Sequence, residues 1–260
     1  MKYRGPGAAL LAWGWALARY RLDARSVERA TRLDALLLAD HVRTILDRSA
    51  IECVLDVGAH GGEYAMALRR AGYRGRIVSF EPQPSQIAVL TRLARGDGSW
   101  TVCPYALGAT DGEIEIELRA VDVFTSIRPT TAYAAARYGA QVASTGVVRV
   151  PVRRLASVLP DILGGATPRV FLKMDTQGYD LEVFTGAADV LPSIVGLQSE
   201  LSFMLLYEGA PTWREAITRY EQAGFIVSAL APVSHDRDTG AIVEVDCVMV
   251  KNSDQRSAIS

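Results

Sequence analysis

Short apolar runs alternate with amphipathic stretches along most of this chain, and no other feature constrains its fold as strongly. An apolar run bounded by turn signals reads as a buried strand, and apolar residues recurring every three or four positions read as a helix. Residues 52–57, 76–80, 101–105, 169–174, 194–199 and 225–230 have strand character. Residues 63–71, 85–94, 180–188 and 213–223 have helical character, with Gly72 and Gly224 as stops and Pro84 near one start. Repeated strand–helix units imply a mostly parallel sheet with helices on both faces. The end departs from that rule. Residues 242–250 follow the preceding strand through 231–240, with Gly240 as the turn and no helix between. That predicts an antiparallel hairpin at the sheet's edge. Residues 113–118 and 147–152 alternate charged or polar with apolar side chains, as half-exposed strands do. Between them, residues 119–146 form a long insertion rich in Thr, Ser, Ala and Tyr, expected to be a lid or binding loop.

Composition removes several classes. Of 260 residues, 49% are hydrophobic and 22% charged, which excludes a disordered or collagen-like chain. Lys plus Arg number 28 against 29 Asp plus Glu, so no basic field favours nucleic acid, and no nucleic-acid partner is expected. Cys53, Cys103 and Cys247 are scattered and form no CxxC pair, which argues against a zinc ribbon or disulfide framework and for a reducing, cytoplasmic setting.

The N-terminal 50 residues read as a helical arm, with apolar positions Val27, Leu33, Leu36, Leu37, Val42, Ile45 and Leu46 at helical spacing. Ahead of them lies an apolar run, residues 8–18, carrying Trp13 and Trp15 between Lys2 and Arg4 on one side and Arg19 and Arg21 on the other. The run is too short to span a bilayer. Packing on the domain or on a partner subunit, as in a homodimer, is the expectation; peripheral contact with a membrane surface is the alternative. A signal peptide is the third reading, weakened by the lack of a small-residue cleavage site. The main domain is expected over 51–251, followed by a polar tail at 252–260.

The first strand ends in Asp56-Val57-Gly58-Ala59-His60-Gly61-Gly62, and the second in Phe80-Glu81-Pro82. A strand, glycine turn and helix let the backbone approach a ligand and point helix N–H groups at it. The full GxGxxG pattern is not met. An acid at the tip of the second strand, about 20 residues past the turn, suits both hydroxyls of a ribose. Together they indicate a nucleoside ligand. Asp56 either accepts from loop N–H groups or meets the positive end of that ligand.

The segment Phe171-Leu172-Lys173-Met174-Asp175-Thr176-Gln177-Gly178-Tyr179-Asp180-Leu181-Glu182, taken with that glycine turn and Phe80-Glu81-Pro82, resembles the FkbM-type methyltransferases, and Val245-Asp246-Cys247-Val248-Met249-Val250 resembles the family's last strand. The resemblance covers about 54–251. It implies an α/β, Rossmann-like class I methyltransferase fold: a seven-stranded, mostly parallel sheet with an antiparallel last strand and helices on both faces. It also implies S-adenosylmethionine as cofactor, with Asp56, Gly58, Ala59, His60 and Gly61 along its methionine and ribose part, Glu81 on the ribose, and Ala106 and Leu107 by the adenine.

Methyl transfer from a sulfonium is an in-line displacement, so catalysis is positioning plus removal of one proton. Asp175 stands at the carboxyl end of its strand, where open α/β sheets bind ligands, and is the first candidate for the base. It also suits an N-cap, and it is counted with the cofactor residues too. Lys173, on the same face, needs a partner such as Asp175 or Glu200. Glu200, at the tip of the next strand, and His235, in the hairpin loop, are further catalytic candidates, though a loop histidine is also simply solvated. Asp246 reads as a buried, hydrogen-bonded acid. No DxD pair follows the strand, so no metal is required; if Mg2+ is used, Asp175, Glu200 and His235 would be its ligands. Ser126, Arg128, Tyr133 and Tyr138 of the insertion, with Gln177, would contact a polar acceptor. The expected activity is O-methylation of a sugar, a glycan or a related secondary metabolite, as in polysaccharide biosynthesis. The rivals are an NAD-dependent dehydrogenase and a non-catalytic, cofactor-binding scaffold.

Overall fold

The computed structural model describes residues 24–252, with side chains for 33–252. The tryptophan-bearing run of the arm and the tail beyond residue 252 lie outside the described residues.

Helix α1 (Ala24–Arg48) leads into β1 (Cys53–Val57). Its residues Leu38, Val42, Ile45 and Leu46 recur at helical spacing and are buried against the sheet. Then follow α2 (Glu63–Arg70), β2 (Arg76–Phe80), α3 (Pro84–Ala94), β3 (Trp100–Cys103), β4 (Ala106–Leu107) and β5 (Gly112–Arg119). After the insertion come β6 (Ser144–Arg153), α5 (Leu155–Leu163), β7 (Val170–Met174), α6 (Asp180–Gly186), β8 (Ile194–Ser202), α7 (Trp213–Gln222), β9 (Phe225–His235) and β10 (Ile242–Lys251). The insertion itself holds a 3-10 turn at Asp122–Phe124, then helix α4; α4 (Ala132–Tyr138) runs into a second 3-10 turn, Gly139–Val142.

Seven strands make one sheet in the order β3-β2-β1-β7-β8-β10-β9. All neighbours are parallel except β10, which runs antiparallel to both β8 and β9. The central strands β1 and β7 are buried along their whole length, which suits their apolar sequences, because helices cover both faces. On one face Val54, Ile77, Phe171 and Val248 meet α1, α2 and α3 through Val42, Leu68 and Leu90. On the other Leu55, Leu172, Leu197 and Cys247 meet Leu159, Val183, Phe184 and Tyr220 of α5, α6 and α7.

Three expectations need correction. The strand expected at 101–105 stops at Cys103, since Pro104 interrupts it, and Ala106–Leu107 joins a second sheet of order β4-β6-β5. In that sheet Glu115 faces Arg149 on the exposed side, with Arg149 Nη2 donating to Glu115 Oε1 at 3.1 Å, while Ile116 and Val150 fill the inner side. The hairpin is longer than its apolar run suggested: β9 continues to His235 through Pro232, which an edge strand tolerates because one side of its ladder is unpaired. The turn falls at Asp236, whose Oδ1 accepts from the N–H groups of Asp238 (3.2 Å) and Thr239 (2.9 Å).

Candidate active site

A cavity of about 580 Å3 opens at the carboxyl ends of β1, β2 and β7, the place where open α/β sheets bind ligands. Its floor is the glycine turn after β1. Gly58 has φ +71°, and a Cβ there would stand 1.9 Å from the Asp175 carbonyl oxygen. Only glycine lets the ends of β1 and β7 come this close. Gly58, Ala59 and His60 line the cavity, and Ala106 and Leu107 line it further along. Gly61 does not; its backbone faces Glu63.

Glu81 at the tip of β2 is 3% exposed and also lines the cavity. His60 N–H donates to Oε2 at 2.8 Å and Gln83 N–H to Oε1 at 2.9 Å. Burial pushes its pKa up, and the two backbone donors pull it back. Each oxygen keeps a second lone pair, so the carboxylate can still accept two hydroxyls.

Asp56 lies elsewhere than expected. It is fully buried beneath the turn rather than on the cavity surface. Its Oδ1 is 3.2 Å from Lys173 Nζ, and Ser79 Oγ donates to Oδ2 at 3.4 Å. Lys173 also donates to the Gly58 carbonyl at 3.1 Å and lies over the Tyr64 ring. Burial works against its charge, but Asp56 and Asp175 outweigh it and raise the lysine pKa. Lys173 is therefore a fixed cation that props the glycine turn, not a proton carrier.

Asp175 lines the cavity with its carboxylate 39% exposed. Its Oδ2 stands 3.6 Å from Lys173 Nζ, and Gln177 Nε2 donates to Oδ1 at 3.0 Å. The turn that carries it is held from below. Asp180 Oδ1 accepts from Thr176 N–H (2.9 Å) and Thr176 Oγ1, and Ser199 Oγ donates to Asp180 Oδ2 at 2.7 Å. Asp180, rather than Asp175, thus accepts the turn's N–H.

Glu200 does not line the cavity. Its Oε2 accepts from Gln177 Nε2 at 3.1 Å, and burial together with Glu244, Asp175 and Asp246 drives its pKa well up. Asp246, directly opposite Glu200 in the β8–β10 register, does reach the cavity; burial pushes it up to about 6. Glu244 is pushed up to about 7 by burial.

The insertion roofs the cavity through Asp122, Val123, Thr125, Ser126 and Ile127. Asp122 accepts from Gln86 Nε2 of α3 at 2.8 Å. Ser126 Oγ donates to the Gln177 carbonyl at 2.8 Å and accepts from Arg128 N–H at 3.0 Å. The other candidates of this segment turn away from the cavity. Arg128 donates to the Gly178 carbonyl at 3.0 Å and is ion-paired with Glu182. Tyr133 donates to Asp236 Oδ2 at 2.9 Å, and Tyr138 packs on Phe124. His235 takes no place in the cavity either: it ends β9, with its carbonyl accepting from Arg137. The trio Asp175, Glu200 and His235 does not converge, and among the described residues no group of three His, Cys, Asp or Glu side chains could hold a metal.

Tyr64 and Gln198 are cavity residues that the sequence alone left unmarked; Tyr64 donates to Gln198 Oε1 at 3.2 Å. Gln198 is the register partner of Lys173, so a correct strand alignment would have exposed it.

An open seven-stranded sheet with one antiparallel strand beside its edge, and a nucleoside-sized cleft at its carboxyl ends, defines the Rossmann-like methyltransferase fold. The methyltransferase FkbM domain matches residues 56–227, well over half of the chain, and the protein belongs to that family. A search of curated proteins returned no match. Among solved structures, magnesium protoporphyrin IX methyltransferase from Synechocystis PCC 6803 with bound SAM is 11% identical, with a TM-score of 0.47 over 92% of this chain and 89% of that one. The Burkholderia thailandensis 1,6-didemethyltoxoflavin-N1-methyltransferase is 12% identical, with a TM-score of 0.44 over 97% and 93%. Aeropyrum pernix fibrillarin, with natively bound S-adenosyl-L-methionine, is 11% identical, with a TM-score of 0.41 over 76% and 66%.

Proposed function

We propose that this methyltransferase uses S-adenosylmethionine to methylate a hydroxyl of an uncharged, polar acceptor such as a sugar or glycan. The observation that carries the reading is the pairing of two carboxylates across one cavity: Glu81 buried at the tip of β2, and Asp175 half-exposed at the tip of β7. The residues fit the cofactor. Glu81 offers two free lone pairs for a ribose diol, Gly58 brings bare backbone to the cavity floor, and Ala106 and Leu107 give an apolar slot for a purine. When bound, S-adenosylmethionine supplies a methyl group already activated on a sulfonium.

The protein's own residues have the remaining work. An acceptor hydroxyl must lie within about 3 Å of a base to lose its proton as the new bond forms. Asp175 Oδ2 is the oxygen not bonded by Gln177, and it faces the cavity wall shared with Lys173. The insertion covers the cavity from above through Asp122, Val123, Thr125, Ser126 and Ile127. Lys173 lies between the two acids, its Nζ 3.2 Å from Asp56 Oδ1 and 3.6 Å from Asp175 Oδ2, and holds that end of the cavity in place. Acids outnumber cations around this end: Asp175 and Asp246 line it, with Lys173 as the single lining cation. That balance favours a neutral acceptor over a phosphorylated or carboxylated one.

Titration calorimetry with S-adenosylhomocysteine, with NAD for comparison, tests the cofactor. Micromolar binding to the former that is lost in Glu81→Ala supports the reading; binding to NAD alone overturns it. Transfer of labelled methyl to a panel of neutral glycosides, with and without Mg2+, then tests the acceptor class.

A further inference from the structure

Gln177 lines the cavity, as expected of a residue near the acceptor, and its hydrogen-bonding groups are already engaged within the protein. Its Nε2 donates to Asp175 Oδ1 at 3.0 Å and to Glu200 Oε2 at 3.1 Å, which uses both amide hydrogens. Its Oε1 accepts from Tyr207 OH at 2.7 Å, and its backbone carbonyl accepts from Ser126 Oγ at 2.8 Å. The Asp175 carboxylate on one side and the Tyr207 hydroxyl on the other set the orientation of the amide, with its second hydrogen on Glu200 Oε2. The backbone is equally committed: Gln177 has φ +53°, a region that side-chain-bearing residues seldom occupy, and Gly178 follows at +86°. That conformation aims the side chain back across the strand ends, from β7 to β8.

Tyr207 completes the bracket. It is 1% exposed, and it is packed with Ala134 of α4, Leu206 and Val243. A Cβ on Gly178 would stand 3.0 Å from Ala210 Cβ and 3.3 Å from the Tyr207 ring, so the tyrosine is set close by a bare backbone.

We propose that Gln177 is a positioning residue for methyl transfer: it cross-links Asp175 to Glu200 and, anchored by Tyr207, holds one Asp175 oxygen so that the other is presented to the acceptor. The inference rests on Asp175 as the base. It assigns Gln177 and Tyr207 roles that act through that carboxylate rather than through substrate contact.

The test uses the full-length chain. Crystal structures of Gln177→Ala and Tyr207→Phe read the Asp175 position without any acceptor. Calorimetry with S-adenosylhomocysteine reads the cofactor site. With an acceptor from the glycoside panel, Gln177→Ala is expected to lower kcat about 100-fold while KM for S-adenosylmethionine stays within about threefold. In its structure the Asp175 carboxylate oxygens are expected to move by more than about 0.5 Å. Tyr207→Phe, which frees the anchor and keeps the amide, is expected to give a smaller loss of the same kind. Gln177→Glu adds a discriminating readout. The new carboxyl would sit among Asp175 and Lys173 from β7, Glu200 from β8, Glu244 and Asp246 from β10, and Tyr207. It can donate to Asp175 only when protonated, so activity should return toward acid pH, which a purely structural role would not produce.

An Asp175 carboxylate that stays in place in both Gln177→Ala and Tyr207→Phe overturns the proposal. So does a parallel fall of kcat and cofactor affinity. Failure of the unaltered protein to bind S-adenosylhomocysteine is a failure of the methyltransferase site itself, and it is read apart from the Asp175 position.

Discussion

Replacing Lys173 with methionine keeps the volume and removes the charge that faces Asp56. The pair is 3.2 Å apart, with Asp56 wholly buried and the lysine head almost so. Removing one partner of a buried ion pair leaves an uncompensated charge and costs about 3–5 kcal/mol. A domain's whole stability is roughly 5–15 kcal/mol, so the variant should fold, but marginally. The penalty depends on pH, with a definite sign. Burial already raises the Asp56 pKa in the intact protein, and without the lysine burial and the neighbouring Asp175 raise it further above the unfolded value of about 3.9. A group raised in the fold binds its proton more tightly there. The deficit is therefore smallest at acid pH and widens by up to about 1.4 kcal/mol per pH unit between the folded pKa of Asp56 in the intact protein and its higher folded pKa in the variant. Urea unfolding of both proteins at pH 5 and pH 8 measures this, with equal m-values as the check on two-state behaviour. Adding Asp56→Asn removes the stranded charge and should recover much of the loss at pH 8. A deficit that does not change with pH, or a double variant as unstable as the sum of the singles, would refute the ion-pair reasoning.

Glu81→Ala should weaken S-adenosylhomocysteine binding by about 10- to 100-fold, the loss of one or two hydroxyl bonds to a charged acceptor, as calorimetry would show. Gly58→Ala places a methyl 1.9 Å from a backbone oxygen at a positive φ; it should lower the urea midpoint and abolish cofactor binding together, whereas a stable, binding variant would mean that the two strand ends can part freely. Asp246 near 6 and Glu244 near 7 hold protons that the unfolded chain has released, so stability should fall as pH rises from about 4.5 to 7.5. Glu244→Gln should flatten that slope in urea titrations at several pH values.

The parts of the fold that were legible in the sequence are those with a local signal. Strand and helix periods, the stops at Gly72 and Gly224, and the helix-free passage into the last strand are readable a few residues at a time. The same holds for Gly58, Glu81 and Asp175, because strand ends are where such a sheet must bind ligands. What stayed hidden needed register. Asp56, Lys173 and Gln198 share a face across three strands, so their contacts follow from the β1–β7–β8 alignment and not from spacing along the chain. His235 reads as a loop residue because the apolar run stops at residue 230, whereas β9 continues through Pro232, as an edge strand can.

The insertion shows why residue type alone misassigns partners. Arg128, Tyr133 and Tyr138 have side chains suited to a sugar, and the same hydroxyls, rings and charge suit a segment that must be fastened to its own domain. Thr131 caps α4 and donates to the Leu205 carbonyl at 2.8 Å, Glu208 N–H donates to the Pro129 carbonyl at 2.8 Å, and Tyr133 and Arg137 both bond Asp236 of the hairpin turn. Arg128 closes the other side on Gly178 and Glu182. A roof tied at this many points is preformed, and little ordering entropy is left to be lost when a ligand enters. It also joins the roof to the turn after β7, since the Gly178 whose carbonyl Arg128 bonds follows Gln177, whose amide donates to Asp175. The polar residues of the insertion therefore fix the walls of the cavity, and the half-exposed carboxylate of Asp175 is left open on one of them.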